Sequence, residues 1–536
     1  MVKGSEEDAM KTKARRWVAA NVVLVLAASG CDVVWNDVSG DCELMLTCAH
    51  FLPTGSGGGP PNPGCEADPT QDASTVTDEC AVFASATAEP GGDGTKARPY
   101  VSLEEAVAKA NGKRVLACAS EPFAESVTIE AGVEVIGGFD CEAEWTWSNE
   151  ARSAIEAPAN RIALTVSEAA SGAKVRSFAI RAASATERGG SSIGVAVADV
   201  EAELAQVDVT AGDGMAGANG ETPEEAPQGG ASAPADVSNA CPFVVYGGDP
   251  GVTTCGDGET RGGAGGLGGT TGTDEGNGQK GADGAPLPEP NPSNKGIGGT
   301  GQNAADECNA GANGKSGDPG RSGEVDGSTQ LTLEGIAGGD GRSGMTGTRG
   351  QGGGGGGGAK AGRFCGPSAD PINGPGASGG GGGAGGCGGK GGSGGKAGGS
   401  SIGIVSLGTK LVLTDVTVAV GEAGKGGNGA AGQLGGSGGT GAAGGTAPAA
   451  PAIPGCKGGD GGRGGAGGPG AGGRGGHAVG IAYAAAASAT LELKEFMAGT
   501  AGDGGSAGPG GSEQSTGAQG ASGICWNFAT NESCAQ

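Results

Sequence analysis

Histidine is almost missing: His50 and His477 are the only two in 536 residues. That count argues against His-based metal sites and against Ser/His/Asp or Cys/His catalysis, which need an imidazole beside its partner. Aromatics are scarce, with Phe 9, Trp 5 and Tyr 3. One large compact core is not expected from so few bulky side chains. Basic residues are outnumbered, Lys plus Arg 33 against Asp plus Glu 59, for a net charge of −26. With an isoelectric point near 4.5, the chain lacks the clustered positive charge that a nucleic-acid partner requires. No Cys-x-x-Cys occurs, so zinc ribbons and thioredoxin-type redox sites lack their spacing.

Glycine, in contrast, is abundant at 124 residues, and there are 15 cysteines. The N-terminal region reads as an address. Met10 to Arg16 is basic, Trp17 to Ala28 is a short apolar stretch, and Leu26-Ala27-Ala28-Ser29-Gly30-Cys31 follows. The apolar stretch is far shorter than the roughly 20 residues of a spanning helix and has the length of a signal-peptide core. The acids before Met10 suit a signal poorly, which leaves Met1 and Met10 both open as the start. Small residues directly before a Cys resemble the lipobox of bacterial lipoproteins. That resemblance implies cleavage between Gly30 and Cys31 and lipid on the Cys31 sulfur, with Ala28 standing where Leu is commoner. Asp32 resembles an inner-membrane retention signal of some bacteria. Setting Cys31 aside leaves an even 14 cysteines for disulfides in an oxidising compartment. Local pairs are expected at Cys118–Cys141, Cys241–Cys255 and Cys525–Cys534.

The chain divides by composition into a signal peptide (1–30), a Cys/Pro/Gly-rich tether (31–79) and a patterned region (80–211). Glycine-rich inserts then alternate with short apolar runs: 212–327 insert, 328–336 strand, 337–399 insert, 400–420 strands, 421–476 insert, 477–498 strands and a 499–536 glycine- and Cys-containing tail. Ser102-Leu103-Glu104-Glu105 is a capping box that opens a short helix ending at Gly112. Strand patterns follow at 115–119, 127–129 and 133–136, with a turn expected at Gly137-Gly138. Ile193-Gly194-Val195, Ile402-Gly403-Ile404 and Val479-Gly480-Ile481 then recur, each followed by an apolar run starting at Leu204, Leu413 or Leu493. Leu331-Thr332-Leu333 reads as a partial fourth copy. Recurring period-two pairs of this kind predict stacked strands that need neighbours to bury their faces.

The segment Gly92-Asp93-Gly94-Thr95, the capping-box helix, Phe123 to Ile129 and Val135-Ile136-Gly137-Gly138-Phe139-Asp140 resembles the start of a pectate-lyase-like right-handed parallel β-helix. More narrowly, it resembles glycine-rich, Cys-rich surface lipoproteins of myxobacterial type. The resemblance implies an all-β solenoid interrupted by long inserts, with the helix capping its open end.

Within the inserts glycine falls on a period of three, as at Gly338 to Gly356, Gly376 to Gly394, Gly426 to Gly444 and Gly458 to Gly476. Three residues per turn is the polyproline II period. A polyglycine II bundle, a flexible linker and a collagen-like trimer all fit that period, and Pro is sparse for collagen. The tracts resemble the glycine-rich domains of mycobacterial PGRS proteins and of glycine-rich antifreeze proteins.

Specific chemistry is hard to find. Gly314-Lys315-Ser316 ends like a phosphate loop, but Asn309 stands where Gly is needed. Gly338-Gly339-Asp340-Gly341 and Gly458-Gly459-Asp460-Gly461 put Asp at the wrong offset for a calcium nonapeptide. Strand carboxylates (Asp199, Glu201, Asp208, Glu334, Asp415, Glu492 and Glu495) are the candidates if the solenoid were a polysaccharide lyase or hydrolase, yet no cation recurs beside them and none is assigned as catalytic. Trp145 and Trp147 are either a sugar-stacking pair or the seal of a core. No cofactor or metal is expected. The expectation is an exported, lipid-anchored, non-enzymatic structural or adhesion protein of the outer membrane or cell surface. Its partners would be the membrane and extracellular polysaccharide or envelope components. The alternative is a carbohydrate-binding protein or carbohydrate-active enzyme.

Overall fold

The computed structural model describes residues 63–304, 306–448, 450–485 and 492–534. The expected signal peptide, Cys31, both candidate starts and most of the expected tether, with Cys42 and Cys48, lie outside the described residues.

The described chain is nearly all-β. Its one α-helix, α1 (Leu103–Ala108), follows β1 (Ala81–Ala84). Then come β2 (Arg114–Cys118), β3 (Val127–Ile129), β4 (Glu134–Asp140), β5 (Thr146–Trp147), β6 (Ser153–Ala157), β7 (Leu164–Val166), β8 (Ala173–Ala182), β9 (Ser192–Val197) and β10 (Ala202–Ala211). The first insert carries β11 (Val252–Cys255) and β12 (Gly258–Arg261). Two more hairpins follow, β13 (Thr329–Thr332) with β14 (Gly335–Gly338) and β15 (Gly362–Cys365) with β16 (Ile372–Gly374). The rest are β17 (Ser401–Ser406), β18 (Leu411–Thr414), β19 (Thr417–Val420), β20 (Ala478–Tyr483), β21 (Glu495–Met497), β22 (Ser522–Asn527) and β23 (Glu532–Ser533).

Two mainly parallel sheets face each other. One runs β1-β2-β4-β8-β10-β19-β21, and the other runs β3-β7-β9-β17-β20-β22-β23. Identical faces align because the alternating apolar positions are held in register. Ile155, Ile180, Val209, Val418 and Phe496 form one inward row. Leu164, Val195, Ile404 and Ile481 form the opposing one. Both rows belong to or pack on one buried cluster, so alternation in sequence becomes a continuous apolar seam.

The three glycines of the sequence repeat have a packing reason. Gly194, Gly403 and Gly480 sit at equivalent points of neighbouring strands. A Cβ on Gly194 would overlap Val209 Cγ1, one on Gly403 would overlap Val418 Cγ1, and one on Gly480 would crowd the Phe496 ring. Glycine opens the space into which the facing sheet inserts a side chain.

The expected turn at Gly137-Gly138 is instead the interior of β4. Gly138 has φ +83°, and Ser177, Gln206 and Asp415, aligned with one another beside it, have φ +59°, +55° and +53°. β4, β8 and β10 all bend near this level, and Asp415 separates β18 from β19. Ser177 Oγ donates to Gln206 Oε1 at 3.2 Å along this line. The two glycines mark a bend that neighbouring strands of this sheet share, and a bend in one strand reads like a turn.

Leu331-Thr332-Leu333 is not a fourth copy of the strand repeat. It lies in and just after β13, whose antiparallel hairpin joins neither large sheet. Leu331, Leu333 and Ile336 pack over the outer face of the second sheet, on Ile193, Ile402 and Val479. The tail beyond 499 is likewise not glycine-rich sequence alone, because β22 pairs in parallel with β20.

The inserts prolong the sheets. Past β10 and β19, segments 214–240 and 422–446 run parallel, with Gly214, Gly217 and Gly220 N–H donating to Glu422, Lys425 and Asn428 carbonyls. Returning segments 380–398 and 456–474 run parallel into β17 and β20, with Gly383, Gly386 and Gly389 N–H donating to Gly459, Gly462 and Gly465 carbonyls. Segment 341–356 lies antiparallel to 380–395, again bonded at every third residue. Residues 352–358, seven consecutive glycines, are all buried. They donate to 279–285, 309–312 and 380–383 and accept from 263–266, 299–302 and 456–459. A segment with neighbours on every side has no outward face, so glycine fills all three positions of its triplets.

Candidate functional site

Three disulfides cross-link the glycine array: Cys241–Cys365, Cys255–Cys387 and Cys308–Cys456, over separations of 124, 132 and 148 residues. Cys241 therefore does not pair with Cys255. Cys255 lies at the end of β11 opposite Gly258, against the segment of Cys387, while Cys241 faces the β15–β16 hairpin. The folding back of the insert, invisible to local spacing, chooses the partners. Cys118–Cys141 and Cys525–Cys534 are bonded, and Cys65 pairs with Cys80.

Trp145 and Trp147 do not form a platform. Trp145 is buried against Phe83, with ring centroids 4.7 Å apart, and near Phe139. Trp147, on β5, packs at the margin of the same cluster. Of the strand carboxylates, Asp208 and Glu495 stand in register on either side of Thr417 across β10, β19 and β21. Asp208 accepts from Thr417 Oγ1 at 2.6 Å and lies 3.8 Å from Arg152, and Asp415 lies 3.9 Å from Lys494. Neighbouring strands pair charges directly across the first sheet, as in Arg181–Glu156 at 2.7 Å and Lys174–Glu203 at 3.5 Å. Such exposed pairs each contribute at most about 1 kcal/mol.

α1 is fixed at its start by Ser102, whose Oγ accepts from Glu105 N–H at 3.0 Å. The reciprocal group is Glu125, which accepts from Ser102 Oγ and Leu103 N–H, both at 2.6 Å. Burial pushes the Glu104 carboxyl up even though it accepts the Thr128 N–H. These bonds tie the helix across β3 at one end of the sheets.

Beside β3, β7 and β9 lies a groove of about 680 Å³. Its floor carries the outward side chains Thr128 and Thr165, its wall is Leu333 to Ile336 of the β13–β14 hairpin, and Arg161 and Glu187 stand at its edge. Ser126 Oγ is buried here without a hydrogen-bond partner. Asn160 is engaged in structure, accepting from Thr186 N–H at 3.0 Å and Glu187 N–H at 3.3 Å. No single motif marked this groove, because residues some 200 apart build it.

His477, one of the two histidines far apart in the sequence, is a buried structural group. Its Nδ1 accepts from Ala521 N–H at 2.9 Å, so Nε2 carries the proton toward Thr329 Oγ1 at 3.1 Å. Phe528 stacks edge-on at 4.7 Å. Burial, with the Arg474 charge nearby, lowers its pKa to about 3. His50 lies outside the described residues.

Among the described residues no group of three or more His, Cys, Asp or Glu side chains could hold a metal ion. No helix among them is long and apolar enough to cross a membrane. In comparison with known proteins, the chain matches no family model, no curated protein and no solved structure.

Proposed function

We propose that the chain is an exported, lipid-anchored envelope protein with a structural or adhesive, non-enzymatic role. In this reading the two facing sheets are a right-handed parallel β-helix, and its rungs continue into a polyglycine II bundle. The observation that carries the reading is the array itself: a broad body held by backbone hydrogen bonds and stapled by three long-range disulfides. Disulfides of this kind belong to an oxidising compartment, and a body so cross-linked suits display or load-bearing.

Membrane-impermeant amine labelling of intact cells tests it. Lys315, Lys425 and Lys457 have half or more of their side chains exposed on the array. Their modification, with a periplasmic control untouched, is the expected result. Labelling only after the outer membrane is broken sinks the surface reading.

A second reading, binding of a carbohydrate, is favoured by the hydroxyl-lined groove beneath the β13–β14 hairpin and the unpartnered Ser126 hydroxyl within it. Saturation-transfer NMR with neutral oligosaccharides, repeated on Thr165→Phe, separates the two.

A further inference from the structure

The far end of the array carries an apolar projection. Phe243 is fully exposed, at 110% of its reference area, and Val244 and Ile372 are exposed at 70% and 60%. These residues lie close together. Cys241, two positions before Phe243, is bonded to Cys365, and Cys365 is the register partner of Ile372.

The loop is rigidly closed. Ser238 N–H donates to Tyr246 O at 3.3 Å. Ser238 Oγ donates to Val244 O at 3.3 Å and accepts from Tyr246 N–H at 2.7 Å. Tyr246 OH donates to Asp236 at 3.0 Å, and Cys241 N–H donates to Pro375 O at 2.9 Å. Phe243 and Val244 are thus held outward by a framework that leaves them no pocket of their own. At about 3 Å per residue, segment 212–240 sets them on the order of 80 Å from the end of β10.

We propose that this projection inserts into the surface of a lipid bilayer. The patch is convex, and a bilayer receives a convex apolar group without a matching pocket, whereas a protein partner must supply one. Holding the side chains out in advance lowers the ordering cost of insertion. The surroundings suit zwitterionic headgroups: Arg363 and Asp370 pair at 3.3 Å, and a chain of net charge −26 repels anionic ones. The inference is independent of which face of the envelope displays the protein.

The test uses the full chain with Phe243→Trp, mixed with phosphatidylcholine vesicles whose acyl chains are brominated. Quenching of the added indole, measured as the increment over the unsubstituted chain under the same conditions, reads insertion at this site alone. Other contacts of the chain with the vesicles cancel in that difference. Loss of at least half of the added indole emission in brominated vesicles, relative to unbrominated ones, is expected, and Val244→Ser with Ile372→Ser should abolish it. The side chains are exposed, so near-ultraviolet circular dichroism should confirm an unchanged fold. No increment overturns the proposal. So does a concentration-dependent dimer that Phe243→Ser dissolves, since a second copy would then be the occupant.

Discussion

At the scale of the residue, His477 shows how burial sets chemistry. Its neutral ring joins Thr329 of one hairpin to Ala521 of the last returning segment. The folded pKa is about 3, against about 6.5 for an unfolded His. Between those values the unfolded chain takes up a proton that the folded chain refuses. Stability is therefore lost as pH falls through this window and is insensitive to this group above it. From pH 6.5 to 4 the loss should be about 3 kcal/mol, and unfolding titrations at a series of pH values will measure it. His477→Gln, which can still accept from Ala521 and donate to Thr329, should flatten that slope. An equal slope in the variant would assign it to other groups.

At the scale of the element, a glycine segment is specified by how many sides it shows to neighbours. The 352–358 run is enclosed, and a Cβ on Gly355 would strike the Ala264 carbonyl. Segment 311–323 leaves two of its three triplet positions to water, with Lys315, Asp318 and Arg321 in one row and Asn313, Ser316 and Pro319 in the other. Where an outward N–H lacks a neighbouring carbonyl, side chains substitute: Asp283 accepts from Gly298 at 2.8 Å, and Asn428 accepts from Ser506 at 2.9 Å. Gly355→Ala should cost about 3 kcal/mol or more, and Lys315→Ala no more than about 0.5 kcal/mol. Hydrogen exchange of amides 353–358 reads the difference directly. Fast exchange of these amides in the unsubstituted chain would return the inserts to the status of linkers. The triplet period, the Ile-Gly-Val repeats and the helix start at Ser102 were legible because each rests on neighbours within a few residues. The partners of Cys241 and Cys255, the hairpin at Leu331 and the groove were not. They depend on segments that meet only after a long insert folds back, and spacing carries no record of that.

At the scale of the whole molecule, long-range closure dominates. Thr417 meets Asp208 across 209 residues, so β10 and β19 become neighbours only when an entire insert has returned. Disulfides offset part of that entropy. Chain-entropy reasoning assigns the Cys255–Cys387 bond about 5 kcal/mol and the Cys118–Cys141 bond about 3 kcal/mol. Replacing each pair by Ser and comparing calorimetric unfolding should reproduce that order. The reverse order would mean that hydrogen bonds close the array before sulfur does. The same layout limits how the protein can change in length. A segment leaving the sheets and the segment coming back are bonded at every third residue and enclosed by others of the same period. An insertion that is not a whole number of triplets shifts this phase, and each later glycine then trades places with a side chain facing a carbonyl. The array can lengthen only by whole triplets, as masonry rises by whole courses.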